Sequence, residues 1–158
     1  MKHLAEKALC AADTTQKKTP CERFKMKLTT RSEYALLALI HLIRMRGEGY
    51  QTVQSIATEQ NIPVKYLEQI LLILKRARYL KSAKGQQGGY QLAKDPKKIS
   101  LAEIIRLFDG ALAPVESVST YFYEPTPIEK EKKILKIFKD IRDAIATTLE
   151  NTMLQDLV

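Results

Sequence analysis

Residues 84–93 read "KGQQGGYQLA", with three glycines and two glutamines set between a lysine and a Tyr-x-Leu pair. On either side, "YLKSAK" at 79–84 and "YQLAK" at 90–94 alternate apolar and polar residues well enough to form two short strands. The "GQQGG" between them supplies the backbone freedom of a hairpin loop. A phosphate-cradling enzyme loop is excluded by context. A dinucleotide-binding turn needs G-x-G-x-x-G between a strand and a helix, and a P-loop ends in Gly-Lys-Ser/Thr; this stretch has neither spacing and runs into a second strand.

The residues upstream give the hairpin its setting. Thr29 or Thr30 caps a helix predicted from Thr30 to Met45, with Glu33 near its positive end and Gly47 and Gly49 as stops. Thr52 caps a second, short helix, "VQSIATEQ", ending at Asn61. Pro63 opens a third, in which Leu67, Ile70, Leu71 and Leu74 recur at i, i+3, i+4 and i+7. The same periodicity turns Val64, Lys65, Glu68 and Gln69 away from that apolar stripe. Two short helices joined by "NIP" form a helix-turn-helix pattern, or an ordinary helical hairpin with a solvated face. With the basic hairpin behind it, the pattern becomes a winged helix. Lys81 and Lys84 rise towards the wing tip, where Gln86 and Gln87 add donors suited to phosphates or a minor groove.

Charge supports that reading. The net +8 is uneven: residues 63–98 carry nine Lys and Arg against two acids, whereas residues 99–158 are net acidic. Local cationic density is what a polyanion rewards through counterion release. A solvated basic face is the competing interpretation, and charge alone does not separate the two. No apolar run reaches the roughly 18–20 residues of a membrane span, and the first residues lack the apolar core of a secretory signal, so a cytoplasmic protein is expected. Cys10 and Cys21 stand with His3 at no recognised zinc spacing, and no metal or cofactor is expected. Two histidines and no nucleophile and base at motif spacing argue against an enzyme.

Downstream, Ser100 and Glu103 are spaced as a capping box, opening a helix with Leu101, Ile104, Leu107 and Phe108 inward and Gly110 at its end. After a Pro-containing loop, Thr126 and Pro127 are expected to cap a helix running to about Glu150, roughly 35 Å long at 1.5 Å per residue. Ile134, Phe138, Ile141 and Ile145 line one face of it, flanked by Ile137, Ala144 and Thr148. Such a stripe needs a partner, and a homodimer would set two recognition helices on the half-sites of a palindromic operator; folding back on its own domain is the alternative. The expected fold is mainly α, a winged helix-turn-helix with a small two-stranded wing and a long C-terminal dimerisation helix. The expected division is a flexible N-terminal extension at 1–25, a winged-helix DNA-binding domain at 26–110, a loop at 111–127, and a dimerisation helix with C-terminal tail at 128–158.

Three segments together resemble the Rrf-two family of bacterial winged-helix regulators, the IscR, NsrR and CymR type. They are "MKLTTRSEYAL" at 26–36, "VKYLEQILLILKRARYLKS" at 64–82, and a G-x-x-G-G-Y-x-L wing formed by Gly85, Gly88, Gly89, Tyr90 and Leu92. The resemblance runs from Met26 to Val158 and implies a homodimeric, sequence-specific regulator of transcription, with a repressor the expected kind. It places major-groove reading on Lys65, Tyr66, Glu68 and Gln69, a wing contact on Lys84, and backbone contacts on Thr29, Thr30 and Arg31. The chemistry agrees, since Gln suits adenine, Glu accepts from a cytosine amino group, and the lysines suit phosphates. Many members also hold an iron-sulphur cluster through cysteines in the loop after "LAPV". Here that loop reads "LAPVESVSTYFYEPTP" at 112–127, with Ser117 in place of the first cysteine and the others absent. Glu33 matches an acidic ligand position of some members but is expected only to favour the helix start. The resemblance thus points to a cluster-free branch sensing through a partner protein or small ligand. A protein-protein adaptor on a winged-helix scaffold is the second reading, and the basic block at 63–98 argues against it.

Overall fold

Two threonines start the first two helices. A computed structural model describes residues 28–158; the 1–25 extension, its two cysteines and Met26 lie outside the described residues. Thr29, in an extended conformation, accepts a hydrogen bond from the Ser32 N–H at the head of α1 (Thr30–Arg44). Thr52 accepts likewise from the Ser55 N–H at the head of α2 (Val53–Gln60). Satisfying these orphan donors is why Thr is favoured there. Asn61 ends α2 in the left-handed region at φ 51°. The chain then reverses through Ile62 and Pro63 into α3 (Val64–Arg76).

These three helices close on one core. Ala35, Ala38, Leu39 and Leu42 of α1, Ile56 of α2, and Leu67, Ile70, Leu71 and Leu74 of α3 are buried together. The apolar stripe of α3 lies where its periodicity placed it. Val64 does not face outward with Lys65; it is half-buried against the core, because the first turn of α3 packs close to α2.

The wing consists of β1 (Leu80–Ala83) and β2 (Gly89–Leu92), antiparallel with Leu80 opposite Leu92 and Ala83 opposite Gly89. A third segment joins it. Gln51, in the α1–α2 loop, exchanges both backbone hydrogen bonds with Tyr90 at 2.9 and 2.8 Å. Two of the wing glycines are needed for close approach rather than for loop freedom. A Cβ on Gly89 would lie 2.3 Å from the Gln51 carbonyl oxygen, and one on Gly88 would lie 2.5 Å from that of Ala83.

The C-terminal half departs from expectation in four places. Ser100 caps α4 (Leu101–Asp109) by accepting from the Glu103 N–H, but the Glu103 carboxylate accepts from the Tyr79 hydroxyl at 3.0 Å instead of completing a capping box. Leu107 is exposed, because the buried face of α4 is set by Ala102, Ile104 and Ile105 and it lies at that face's edge. The last helix begins later than Thr126. Pro127–Lys130 form one 3-10 turn, the chain bends at Glu131, and α5 spans Lys132–Asn151, about 30 Å at 1.5 Å per residue. Finally, the chain end folds back on the winged helix. Met153 bridges Ser100, Leu154 donates to the Ile99 carbonyl at 2.9 Å, and the Leu154 side chain is fully buried in the core. Among the described residues no helix is long and apolar enough to cross a membrane.

This packing can be tested at the wing and at one buried histidine. Gly89→Ala forces its methyl into the Gln51 carbonyl, so it should cost about 2 kcal/mol or more; Gly85→Ala, which meets nothing within 4 Å but sits at φ +105°, should cost only about 1 kcal/mol. Urea midpoints measure both, and equal losses would show that close approach is not what demands glycine at 89. His41 is buried with no partner on Nε2, and its pKa is lowered by burial first, with Arg44 adding to this and Glu59 opposing it. A lowered folded pKa means stability that is present above the unfolded value of about 6.5 and lost as pH falls through the folded one. Thermal midpoints should therefore drop on acidification from about pH 7 to about pH 5, and His41→Gln should flatten that drop. An unchanged slope in the variant would place the acid sensitivity elsewhere.

Candidate nucleic-acid interface

A helix with one buried face must present the other. On α3, with Leu67, Ile70, Leu71 and Leu74 inside, Lys65, Glu68 and Gln69 are all exposed, in a row near the helix start. Pro63 offers α3 no side-chain cap, so this end has backbone N–H groups without a side-chain acceptor. Tyr66 is half-buried rather than fully outward. Its ring meets that of Tyr34 edge-on, with centroids 5.7 Å apart and planes at 85°. This contact joins the start of α3 to the first turns of α1. Thr30 and Arg31, both exposed, lie on α1 within one turn of Tyr34. Sequence reasoning misses Tyr34, although its place one turn after Thr30 and Arg31 is a usable signal.

Thr29 is differently occupied. Its N–H donates to Asp109 Oδ2 at 3.1 Å, and its hydroxyl donates to the other carboxylate oxygen while also capping α1. Asp109, the last residue of α4, therefore belongs to the neighbourhood of the α1 start, and no local pattern marks it.

The wing tip forms a second patch. Lys84, Gln86 and Gln87 are exposed around Gly85, and the Gln51–Tyr90 pairing ties the wing to the α1–α2 loop. Lysines lower on the wing are partly engaged with rings: the Lys81 ammonium lies 6.0 Å from the Tyr50 centroid, and that of Lys94 lies 4.3 Å from that of Tyr79. Tyr79 is the better enclosed. Burial and the Glu103 carboxylate push its pKa up to about 12, so it stays a neutral donor.

The loop at 111–127 is fastened by its own side chains. Ser117 is buried and its Oγ lies 2.6 Å from Thr126 Oγ1, while the Arg142 guanidinium donates to the Val118 carbonyl at 2.6 Å. Arg106 lies over the Tyr121 ring at 4.9 Å and pairs with Glu150, fastening the loop to α5. The Tyr123 hydroxyl donates to Glu129 at 2.7 Å, which raises its pKa.

On α5 no residue is buried. Ile134, Ile137 and Ile141 are 37%, 55% and 40% exposed, with Ala144 and Thr148 continuing the same outer row. Phe138 and Ile145 are half-buried, on the side where α5 leans on α4 and the Glu116–Val118 turn.

Sequence and structure comparisons agree on what carries this architecture. The family described as Rrf2, iron-dependent transcriptional regulator, matches residues 28–158. The HTH-type transcriptional regulator CymR of Bacillus subtilis is 36% identical over 132 residues, spanning 84% of this chain and 89% of its own. A solved structure of CymR, the global cysteine regulator of B. subtilis, superposes with a TM-score of 0.72 at 34% identity, over 84% of this chain and 96% of that one. T. potens IscR superposes at 0.64 with 28% identity, over 85% of this chain and 88% of that one.

The family description implies iron, and the donors present do not fit a thiolate-held cluster. Residues 28–158 contain no cysteine, and no group of three or more His, Cys, Asp or Glu among the described residues could hold a metal ion. Ser117 offers a hydroxyl already bonded to Thr126, where an iron-sulphur centre requires a thiolate. Glu33 is simply an exposed residue of the first turn of α1. The family model covers every described residue, and the relatives named above are transcriptional regulators: this chain belongs to the Rrf2 family of DNA-binding transcriptional regulators.

Proposed function

We propose that two copies of this chain bind a palindromic operator and repress transcription from it, without an iron-sulphur cluster. The exposed Lys65, Glu68 and Gln69 row of α3 carries the reading, because a helix buried on its opposite face fixes the direction in which those side chains leave it. In the major groove Gln69 pairs with adenine, Glu68 accepts from a cytosine amino group, and Lys65 and Tyr66 reach phosphate or sugar oxygens. Thr29, Thr30 and Arg31 meet the backbone beside them, while Lys84, Gln86 and Gln87 carry the wing to a flanking phosphate or minor groove.

The dimer is supported by α5, whose outer row of Ile134, Ile137 and Ile141 stays 37–55% exposed among the described residues, with Phe138 and Ile145 behind. Signal reception falls on the loop at 111–127. Tyr121, Phe122 and Tyr123 are 69%, 47% and 55% exposed there, which favours a partner protein over a small ligand as the effector.

Titrations against operator and scrambled duplexes at several salt concentrations test the interface. Gln69→Ala should lose about 1–3 kcal/mol on the operator and almost nothing on scrambled DNA. Lys84→Ala should weaken both and lower the salt slope by about one per protomer. Equal losses for Gln69→Ala on both duplexes would mean the reading face is elsewhere, and no loss for either variant would favour the adaptor reading. For the dimer, Ile137→Glu with Ile141→Glu should yield monomers in sedimentation equilibrium while leaving the melting of the winged helix intact. A dimer that survives this double substitution would exclude the outer row of α5 as its seam.

A further inference from the structure

Thr29 and Asp109 lie 80 residues apart and are joined by two hydrogen bonds through the Thr29 N–H and hydroxyl. Both donors belong to the residue that heads α1, beside Thr30 and Arg31, on the surface proposed above to meet the DNA backbone. A carboxylate there occupies the donors a phosphate would use, and its charge repels the phosphate as well.

We infer that the Thr29–Asp109 pair is an autoinhibitory latch: it opposes DNA binding, and its release ties the affinity of the winged helix to the state of the loop that begins after Asp109. The inference rests on the proposed backbone contact at 29–31.

Three features make the pair suited to this. It is exposed, so water can replace either partner at small cost and neither group is left buried and unpaired. Asp109 is the last residue of α4, so it can turn away without unwinding the helix's buried face. Gly110 follows at φ +80°, and its N–H donates to the Arg106 carbonyl at 3.1 Å, so the first residue of the loop is tied to the turn of α4 that carries Asp109. Beyond Gly110 the loop is fastened to α5 and α4 through Arg142 and Arg106. Whatever draws the loop from its present seat would carry Asp109 from Thr29 and strengthen binding to DNA. By reciprocity, DNA bound at Thr29 would favour the displaced loop.

Fluorescence titrations of the full chain with a random-sequence duplex test this without knowledge of the operator. Asp109→Ala should tighten binding about three- to tenfold and steepen the salt dependence by up to about one ion per protomer. Asp109→Asn removes the same charge but keeps an oxygen for the Thr29 N–H, so it should gain less than Asp109→Ala. In a Thr29→Val background both gains should shrink, since the sequestered hydroxyl is gone. Equal gains for Ala and Asn, undiminished with Val at 29, would reduce the effect to plain charge removal and overturn the latch. A loss of affinity would overturn it too, by showing that the pair organises the interface. Should Asp109→Ala fail the melting control, the cycle between Asp109→Asn and Thr29→Val decides the same question. Arg31→Ala on the same duplex keeps the two ideas apart. A loss for Arg31→Ala with no gain at Asp109 sinks the latch alone, whereas no effect at either position also removes the α1 start from the interface.

Discussion

Everything in the winged helix depends on one packed seam, the Leu67, Ile70, Leu71 and Leu74 face of α3 against Ala35, Ala38, Leu39 and Leu42 of α1. Each large aliphatic side chain buried there contributes roughly 1.5–3 kcal/mol, against a total stability of only about 5–15 kcal/mol for a domain. The alanines matter as much as the leucines, because small residues on α1 let α3 approach closely enough for the long ones to interlock. Since that seam fixes the rotation of α3, it also decides which residues face outward. The outer face of α3 is in that sense a by-product of a hydrophobic constraint.

The wing is held by a second, weaker constraint. Two strands of four residues are marginal by themselves, and the Gln51–Tyr90 exchange adds a third segment that belongs to the helical body. Backbone can approach backbone that closely only where no Cβ intervenes, which is what Gly88 and Gly89 provide. The exposed loop tip is closed by the Gly88 N–H on the Gly85 carbonyl at 2.9 Å and carries Lys84 at its edge.

The loop in the C-terminal half is held by side-chain contacts of ordinary strength. With no thiolates in residues 112–127, the loop is secured by a part-buried hydroxyl pair and by two arginines, Arg142 on the Val118 carbonyl and Arg106 over the Tyr121 ring. These contacts are individually modest and partly exposed, so they hold the loop without locking it. The final turn adds a buried anchor at Leu154, returning the end of α5 to the winged helix.

The sequence by itself determined the first four helices, the Thr52 and Ser100 caps and the apolar stripe of α3, because capping and periodicity act within one or two turns. Thr52, Asn61, Ser100 and the Leu/Ile stripe of α3 occupy the roles their spacing implied. For the same reason Lys65, Glu68 and Gln69 were legible as an outer face, and the wing glycines as a motif. Only the tertiary structure decided matters that join distant residues. Glu103 left the capping box for Tyr79, 24 residues away, and Asp109 reached Thr29 across 80. Leu154 entered a core built mostly from residues before Ile105, and Tyr66 turned partly inward to meet Tyr34. Such choices arise when several groups compete for one polar or apolar partner, and the outcome depends on which of them the packed core brings within reach.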